Sequence, residues 1–373
     1  MSGVSRHFDE YCLAFGLITG MGIDLANKIL DVIPSERDFF NLPQRDLEVI
    51  AGRRHKMLDA GYRASVLENA RRELDLISKK GIKYHYFRDS DFPNRLIHAH
   101  DAPVLLFSVG DCNLNASKIV SVVGTRHATH YGVDATNNLI DELSALFPDI
   151  IIVSGLAYGI DIAAHNAAIR NNIPTIGVLA HGLDVIYPAA HRSIASKMAR
   201  GNGMLITEYP LNTKMHKSSF LARNRIVAAL ADCTVVVESA TQGGALVTAA
   251  LADSYNRDVL AFPGRASDEF STGCNNLIKR NKANIITSAI DIVNVMQWDT
   301  HDRNRTIEPK LPIFNEYTPR ERRVIDFLTE AGASHINLLA AHMELRVHEM
   351  TALLIDMEFK GYLHALPGGK YSL

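Results

Sequence analysis

The chain has 373 residues, 47% apolar and 21% charged, an ordinary globular composition with room for a large core and two or three domains. Cys12, Cys112, Cys233 and Cys274 stand far apart without a C-x-x-C pair, which excludes a zinc ribbon by spacing and argues against a disulfide scaffold. The formal net charge is −2, so any site for a polyanion must gather its cations locally.

Met1 to Tyr11 is polar, without the apolar stretch of a signal peptide, and no apolar run reaches the ~18 residues of a membrane span. A cytoplasmic protein without membrane contact is expected. In residues 8 to 78, apolar residues recur at three- and four-residue spacing, as in Leu25, Ile29, Val32 and Ile33. Gly20-Met21-Gly22-Ile23 leads into a helix as a helix-hairpin-helix element does, with glycines that would let backbone N–H groups approach a phosphate. A tight turn between packed helices explains the same residues. Residues 1–80 are therefore read only as a helical module, SAM-like or helix-hairpin-helix-like.

The pattern changes over residues 81–298. Short, nearly continuous apolar runs at 119–123, 150–153, 175–179, 204–206, 234–237, 259–262 and 284–286 fit strands buried on both faces of a parallel sheet. Helical segments at 134–146, 161–171, 188–198 and 245–255 alternate with them. Such alternation predicts a Rossmann-like, doubly wound, mostly parallel α/β domain. Residues 83–110, with Tyr84, Tyr86, Phe87, Phe92 and Phe107, read as an extension packed on the sheet. Residues 299–316 are polar, with Pro309 and Pro312, and read as a linker. Residues 317–373 carry three helical stretches and two short strands around Pro367-Gly368-Gly369, the order of a winged helix.

In a doubly wound sheet, ligands sit beyond the carboxyl ends of the strands. The first strand is followed by Gly124-Thr125-Arg126, the second by Ser154-Gly155-Leu156-Ala157-Tyr158-Gly159, and the fifth by Gln242-Gly243-Gly244. Glycines there would leave backbone N–H groups open to a phosphate, although tight turns need glycine too. Neither G-x-G-x-x-G nor the P-loop pattern occurs, which argues against a P-loop ATPase; no cofactor and no metal site is implied. Residues 210–231 hold Lys214, Lys217, Arg223 and Arg225, no Asp or Glu, and Phe220 between the lysines and the arginines. Cations interleaved with an aromatic ring mark a single-strand site, where charge holds phosphates and the ring stacks a base. A helix starting at Ser218 or Ser219, both good caps, would put Phe220 and Arg223 on one face.

Val123-Gly124-Thr125-Arg126, the Ser154 to Asp161 run with His165, Glu208-Tyr209-Pro210, Arg223-Asn224-Arg225 and Gly243-Gly244-Ala245-Leu246-x-Thr248 occur in order. Together they resemble the DprA/Smf family of DNA-processing proteins over nearly the whole chain. The resemblance implies single-stranded DNA binding without sequence preference, dimerisation through the Rossmann-like domain, and loading of the RecA recombinase during natural transformation. It implies strand-binding roles for Arg126, Lys217, Phe220, Arg223 and Arg225. Gln242 departs from the pattern where a serine is expected, which puts a hydroxyl contact there in doubt.

Asp161 and His165 stand four apart on a helix and could bond each other, but no second carboxylate or activated nucleophile accompanies them. A structural role is expected, holding the glycine loop, and no catalytic residue is assigned. The competing reading is a nucleotide phosphoribohydrolase-like enzyme of the lysine-decarboxylase-like group. Its P-G-G-x-G-T-x-x-E signature is not met around Gly243-Gly244. The last helix of the C-terminal module carries Glu349, Asp356 and Glu358, which oppose a phosphate backbone, so a protein contact is expected there. Leu277, Ile278 and Ile285 cluster at the end of the sheet as candidates for a symmetric dimer contact, or for core.

Overall fold

A computed structural model describes residues 9–52, 54–299, 317–366 and 368–373. Met1–Thr300 forms one compact unit and His301–Leu373 a second.

The first unit opens with α1 (Glu10–Gly16), α2 (Ile23–Leu30), α3 (Glu36–Asn41), α4 (Gln44–Ala51) and α5 (Ala60–Lys79). Asp9, Ser35 and Asp59 start α1, α3 and α5 by accepting hydrogen bonds from first-turn backbone N–H groups. Arg63 of α5 is buried and donates to the carbonyls of Phe39, Phe40 and Leu42 at 2.6, 2.9 and 2.9 Å. It thereby satisfies the open C-terminal end of α3. The helices expected as a module of their own share one continuous core with the sheet, running from Phe15 and Ala70 to Tyr84, Leu106 and Ile206.

Then come β1 (Lys83–Tyr86), α6 (Asn94–Ile97) and β2 (Leu105–Gly110). Strand and helix alternate thereafter: β3 (Ile119–Val123), α7 (His130–Leu146), β4 (Ile151–Ser154), α8 (Ile160–Arg170), β5 (Thr175–Val178), α9 (Arg192–Arg200) and β6 (Met204–Thr207). After them come α10 (Lys217–Leu230), β7 (Cys233–Val236), α11 (Gly244–Ser254), β8 (Asp258–Ala261), α12 (Thr272–Lys279), β9 (Asn284–Ile285) and α13 (Ala289–Met296). The strands form one sheet in the order β1-β2-β6-β5-β4-β3-β7-β8-β9. From β3 to β9 the pairing is parallel; β1 and β2 pair antiparallel, so the extension at 83–110 is part of the sheet.

α7, α8 and α13 cover one face, and α10, α11 and α12 the other. The chain passes outward from β3 through β4 and β5 to β6, then returns by α10 to lay β7 on the other side of β3. Strand order therefore reverses between β3 and β7. Loops leaving two such strands diverge and open a crevice between them.

The second unit contains α14 (Pro319–Ala331), β10 (Ser334–His335), α15 (Ile336–His342), α16 (Val347–Phe359), β11 (His364–Leu366) and β12 (Lys370–Ser372). Its three helices and hairpin come in the expected order, and β10 joins the hairpin in a small antiparallel sheet. Thr318 and Glu321 form a capping box that starts α14. The linker expected at 299–316 lies, beyond Asp299, outside the described residues. Among the described residues no helix is long and apolar enough to cross a membrane.

Candidate nucleic-acid interface

The loops after β3, β4 and β7 and one face of α10 enclose a cleft of about 360 Å³ at the switch point. Thr129, Gly159 and Gly243 cap α7, α8 and α11, so the N-termini of three helices lie at this end of the sheet. Their aligned peptide dipoles favour negative charge there.

The glycines at the strand ends are of two kinds. A Cβ on Gly124 would strike Ile160, and one on Gly155 would enter the guanidinium of Arg223. Gly159 has φ +76°, and a Cβ there would meet the carbonyl of Thr125. These three are fixed by packing. Gly243 and Gly244 are not: the nearest atoms to a Cβ are Ser239 Oγ at 3.3 Å and Asn224 Nδ2 at 3.6 Å. Nothing in the chain itself demands their bareness, and both line the cleft.

Several candidate residues serve the protein's own backbone. Ser154 is fully buried and donates to the carbonyl of Val122 at 2.7 Å, so its hydroxyl does not face the cleft. Asp161 accepts from the N–H groups of Gly155 at 3.2 Å and Ala157 at 3.3 Å. Those amides, expected to be open to phosphate, are thus already satisfied, and the loop is held as the structural role anticipated. Burial pushes the Asp161 carboxyl up, while the Arg223 charge and the loop N–H groups pull it back. Asp161 does not bond His165, whose Nδ1 instead meets Thr175 Oγ1 at 2.7 Å.

Arg223-Asn224-Arg225 likewise turns inward. Arg223, 5% exposed, donates to the carbonyls of Gly155 and Val178 and to Asn224 Oδ1. Arg225 pairs with Glu208 at 2.5 Å, both side chains largely buried. Asn224 Nδ2 reaches the carbonyl of Gly244 at 3.3 Å and ties α10 to the glycine loop. The motif braces the cleft floor instead of presenting two free cations. Helix α10 also starts earlier than expected, with His216 as cap and Ser219 buried in the first turn. Lys217 therefore lies inside the helix, and Lys217, Phe220, Leu221 and Asn224 follow the i, i+3, i+4, i+7 spacing of one face.

Phe220 is half-buried in the cleft wall, its ring edge-on to Tyr187 at 5.5 Å between centroids. Tyr187, 48% exposed, was not singled out in the sequence. Its signal is the Tyr187-Pro188 pair that follows the strand-end turn Gly182-Leu183-Asp184. Arg126, Lys214 and Lys217 are exposed, and none has a hydrogen-bond or ion-pair partner among the described residues. Gln242 stands exposed on the cleft rim; the hydroxyl beside it belongs to Ser239, which donates to the carbonyl of Ala240 at 3.0 Å. Farther away, Leu277 and Ile278 of α12 are half-buried against the core, while Ile285 on edge strand β9 is 56% exposed.

Fold and cleft define a class: a doubly wound α/β protein with a cleft at its topological switch point, lined among the described residues by one unpartnered cation, Arg126. Residues 83–297 match the family described as DNA recombination-mediator protein A, and the chain belongs to that family. It is 33% identical to Protein Smf of Synechocystis over 97% of this chain and 98% of that protein. It is also 33% identical to the putative DNA processing protein DprA of Mycobacterium tuberculosis, over 81% of this chain and 80% of that protein. The crystal structure of DNA processing protein A from Streptococcus pneumoniae aligns with a TM-score of 0.66 at 30% identity, covering 80% of this chain and all of that one. DNA processing protein A of Helicobacter pylori, described for its single-stranded DNA binding mode, aligns with a TM-score of 0.52 at 31% identity, over 58% of this chain and 97% of that one.

Proposed function

We propose that this protein binds single-stranded DNA across the switch-point cleft, acts without catalysis in the cytoplasm, and passes the strand to a RecA recombinase as a homodimer. One observation carries the reading: unpartnered Arg126 and half-buried Phe220 line the same cleft, with Lys217 one helical turn from Phe220. Cations hold a phosphate backbone without reading sequence, and a ring stacks any base whose face is free. Only an unpaired strand offers such faces. The Helicobacter pylori relative, described for single-stranded DNA binding, supports this choice of ligand.

The non-catalytic reading rests on the groups lining the cleft. Asp161, the one carboxylate there among the described residues, is buried and engaged by two loop amides. It is not a free base for hydrolysing a nucleotide. Recombinase transfer rests on the family's description as a recombination mediator. The dimer rests on Ile285, open on an edge strand, while Leu277 and Ile278 of α12 are half-buried against the core. For the C-terminal unit, winged-helix-like in its element order, Glu349, Asp356 and Glu358 on α16 favour a protein contact over duplex DNA.

The test is a gel shift with single- and double-stranded oligonucleotides of one sequence. The expected result is a shift of the single strand alone, and no base released from nucleoside monophosphates. Equal shifts, or released base, would overturn the reading.

A further inference from the structure

Arg126 lines more than the switch-point cleft. It also lines a groove of about 760 Å³ between α7 and α8. Ile162, Asn166 and Arg170 of α8 recur every four residues along one wall, and Val133 and Asn137 of α7 recur in the same way along the other. Asn166 is exposed, and its side chain holds no hydrogen bond among the described residues. Tyr158, 47% exposed, stands at the end nearest Arg126 with its ring edge-on to His191. Among the described residues no Asp or Glu lines the groove, although Asp141 pairs with Arg170 at its far end. Arg170, at the far end, is held by Asp141 at 2.7 Å and Asn137 at 3.4 Å.

We propose that this α7–α8 groove is a second, contiguous subsite for the single strand, entered at Arg126. The inference rests on the function proposed above. Arg126 and His127 belong to both depressions, so a phosphate held by Arg126 lies at their junction. A strand leaving the cleft on that side meets Tyr158 first, a ring on which a base can stack. It then meets the Asn166 amide, which can bond backbone or base edges without selecting sequence. α8 has 11 residues, roughly 16 Å at its helical rise. At ~3.4 Å per stacked base that is room for roughly five nucleotides. The lining of small and amide side chains, open along its length, suits an extended chain.

The experiment is fluorescence anisotropy with oligothymidylates of about 4 and about 16 nucleotides, the range of single-strand site sizes in small modules. Wild-type protein, Tyr158→Ala, Asn166→Glu and Asn166→Lys are compared, with melting curves as a check on folding. For wild type, the longer strand should bind more tightly than the shorter. Tyr158→Ala and Asn166→Glu should each weaken the longer strand about five-fold or more. Asn166→Glu should leave the shorter strand unchanged, and Asn166→Lys should strengthen the longer one. Wild-type affinity for the longer strand in all three variants would overturn the subsite while leaving the cleft standing. Failure of wild type to bind either strand would overturn the cleft reading, and the subsite with it.

Discussion

Arg223 lies beneath the loop after β4 and donates to the carbonyl of Gly155, 68 positions earlier in the chain. The same guanidinium nitrogen reaches the carbonyl of Val178, and the charge faces Asp161. One side chain thus ties together the ends of β4 and β5 and the first turn of α8.

Removing it should be expensive. Arg223→Ala strands two buried carbonyls and leaves Asp161 without its opposing charge. The expected loss is about 3 kcal/mol or more of unfolding free energy, read from urea midpoints. Arg223→Lys should recover little, because an ammonium cannot reproduce the fork. A loss below about 0.5 kcal/mol, the range of ordinary surface changes, would show that Arg223 is a surface cation after all.

The two kinds of glycine separate in the same assay. Gly244→Ala meets only ordinary van der Waals contact, so stability should hold or rise by about 0.4–1 kcal/mol. Its new methyl group intrudes on the cleft, and strand affinity should fall. Gly155→Ala drives a Cβ into Arg223 and should unfold the protein before any binding is measured. Unchanged strand binding in Gly244→Ala would place the DNA elsewhere.

The strands were legible because residues such as those of β3 and β4 are buried throughout, which leaves continuous apolar runs. The antiparallel pairing of β1 was hidden: Lys83-Tyr84-His85-Tyr86 mixes polar and aromatic residues, and its partner register is set by β2. At the cleft, the structure brings the loops singled out in the sequence together, but Arg223 and Arg225 turn inward to partners within the chain. A cation in a sequence carries no mark of its partner, and Glu208 lies 17 residues from Arg225 while Gly155 lies 68 from Arg223. Lys217 shares a helical face with Phe220 only because α10 starts before Ser218, and the serines gave no sign of that earlier start.

Acid stability should report on His165. Thr175 Oγ1 donates to the carbonyl of Ile152, so His165 Nδ1 carries the proton, and Nε2 has no partner among the described residues. Burial first, then the charges of His191 and Arg223, push the imidazole down to about 3. The unfolded chain takes up this proton near pH 6.5, whereas the native protein refuses it down to about 3. Stability should therefore fall as pH drops below about 6.5, by up to about 1.4 kcal/mol per pH unit from this group. Chemical denaturation from pH 7 to 4 should show a shallower slope in His165→Gln. Identical slopes would mean that His165 titrates normally.

Self-association is tested at Ile285, the most exposed of the three candidate contact residues. Ile285→Glu adds a charge on an exposed edge strand and should sediment as a folded monomer. Ile278→Glu, half-buried against the core, should cost stability as well. A dimer that survives Ile285→Glu would put the interface elsewhere.

The central claim is tested most directly by the salt dependence of single-strand affinity, measured by anisotropy between about 50 and 200 mM salt. With Arg126, Lys214 and Lys217 as the free cations, the slope of log K against log salt should be about −2, at ~0.7 per contact. Arg126→Ala should make it shallower by about 0.7. Phe220→Ala should cost about 1–3 kcal/mol of affinity and leave the slope unchanged, because a stacked ring releases no counterion. A slope near zero, or duplex bound as tightly as single strand, would contradict the account.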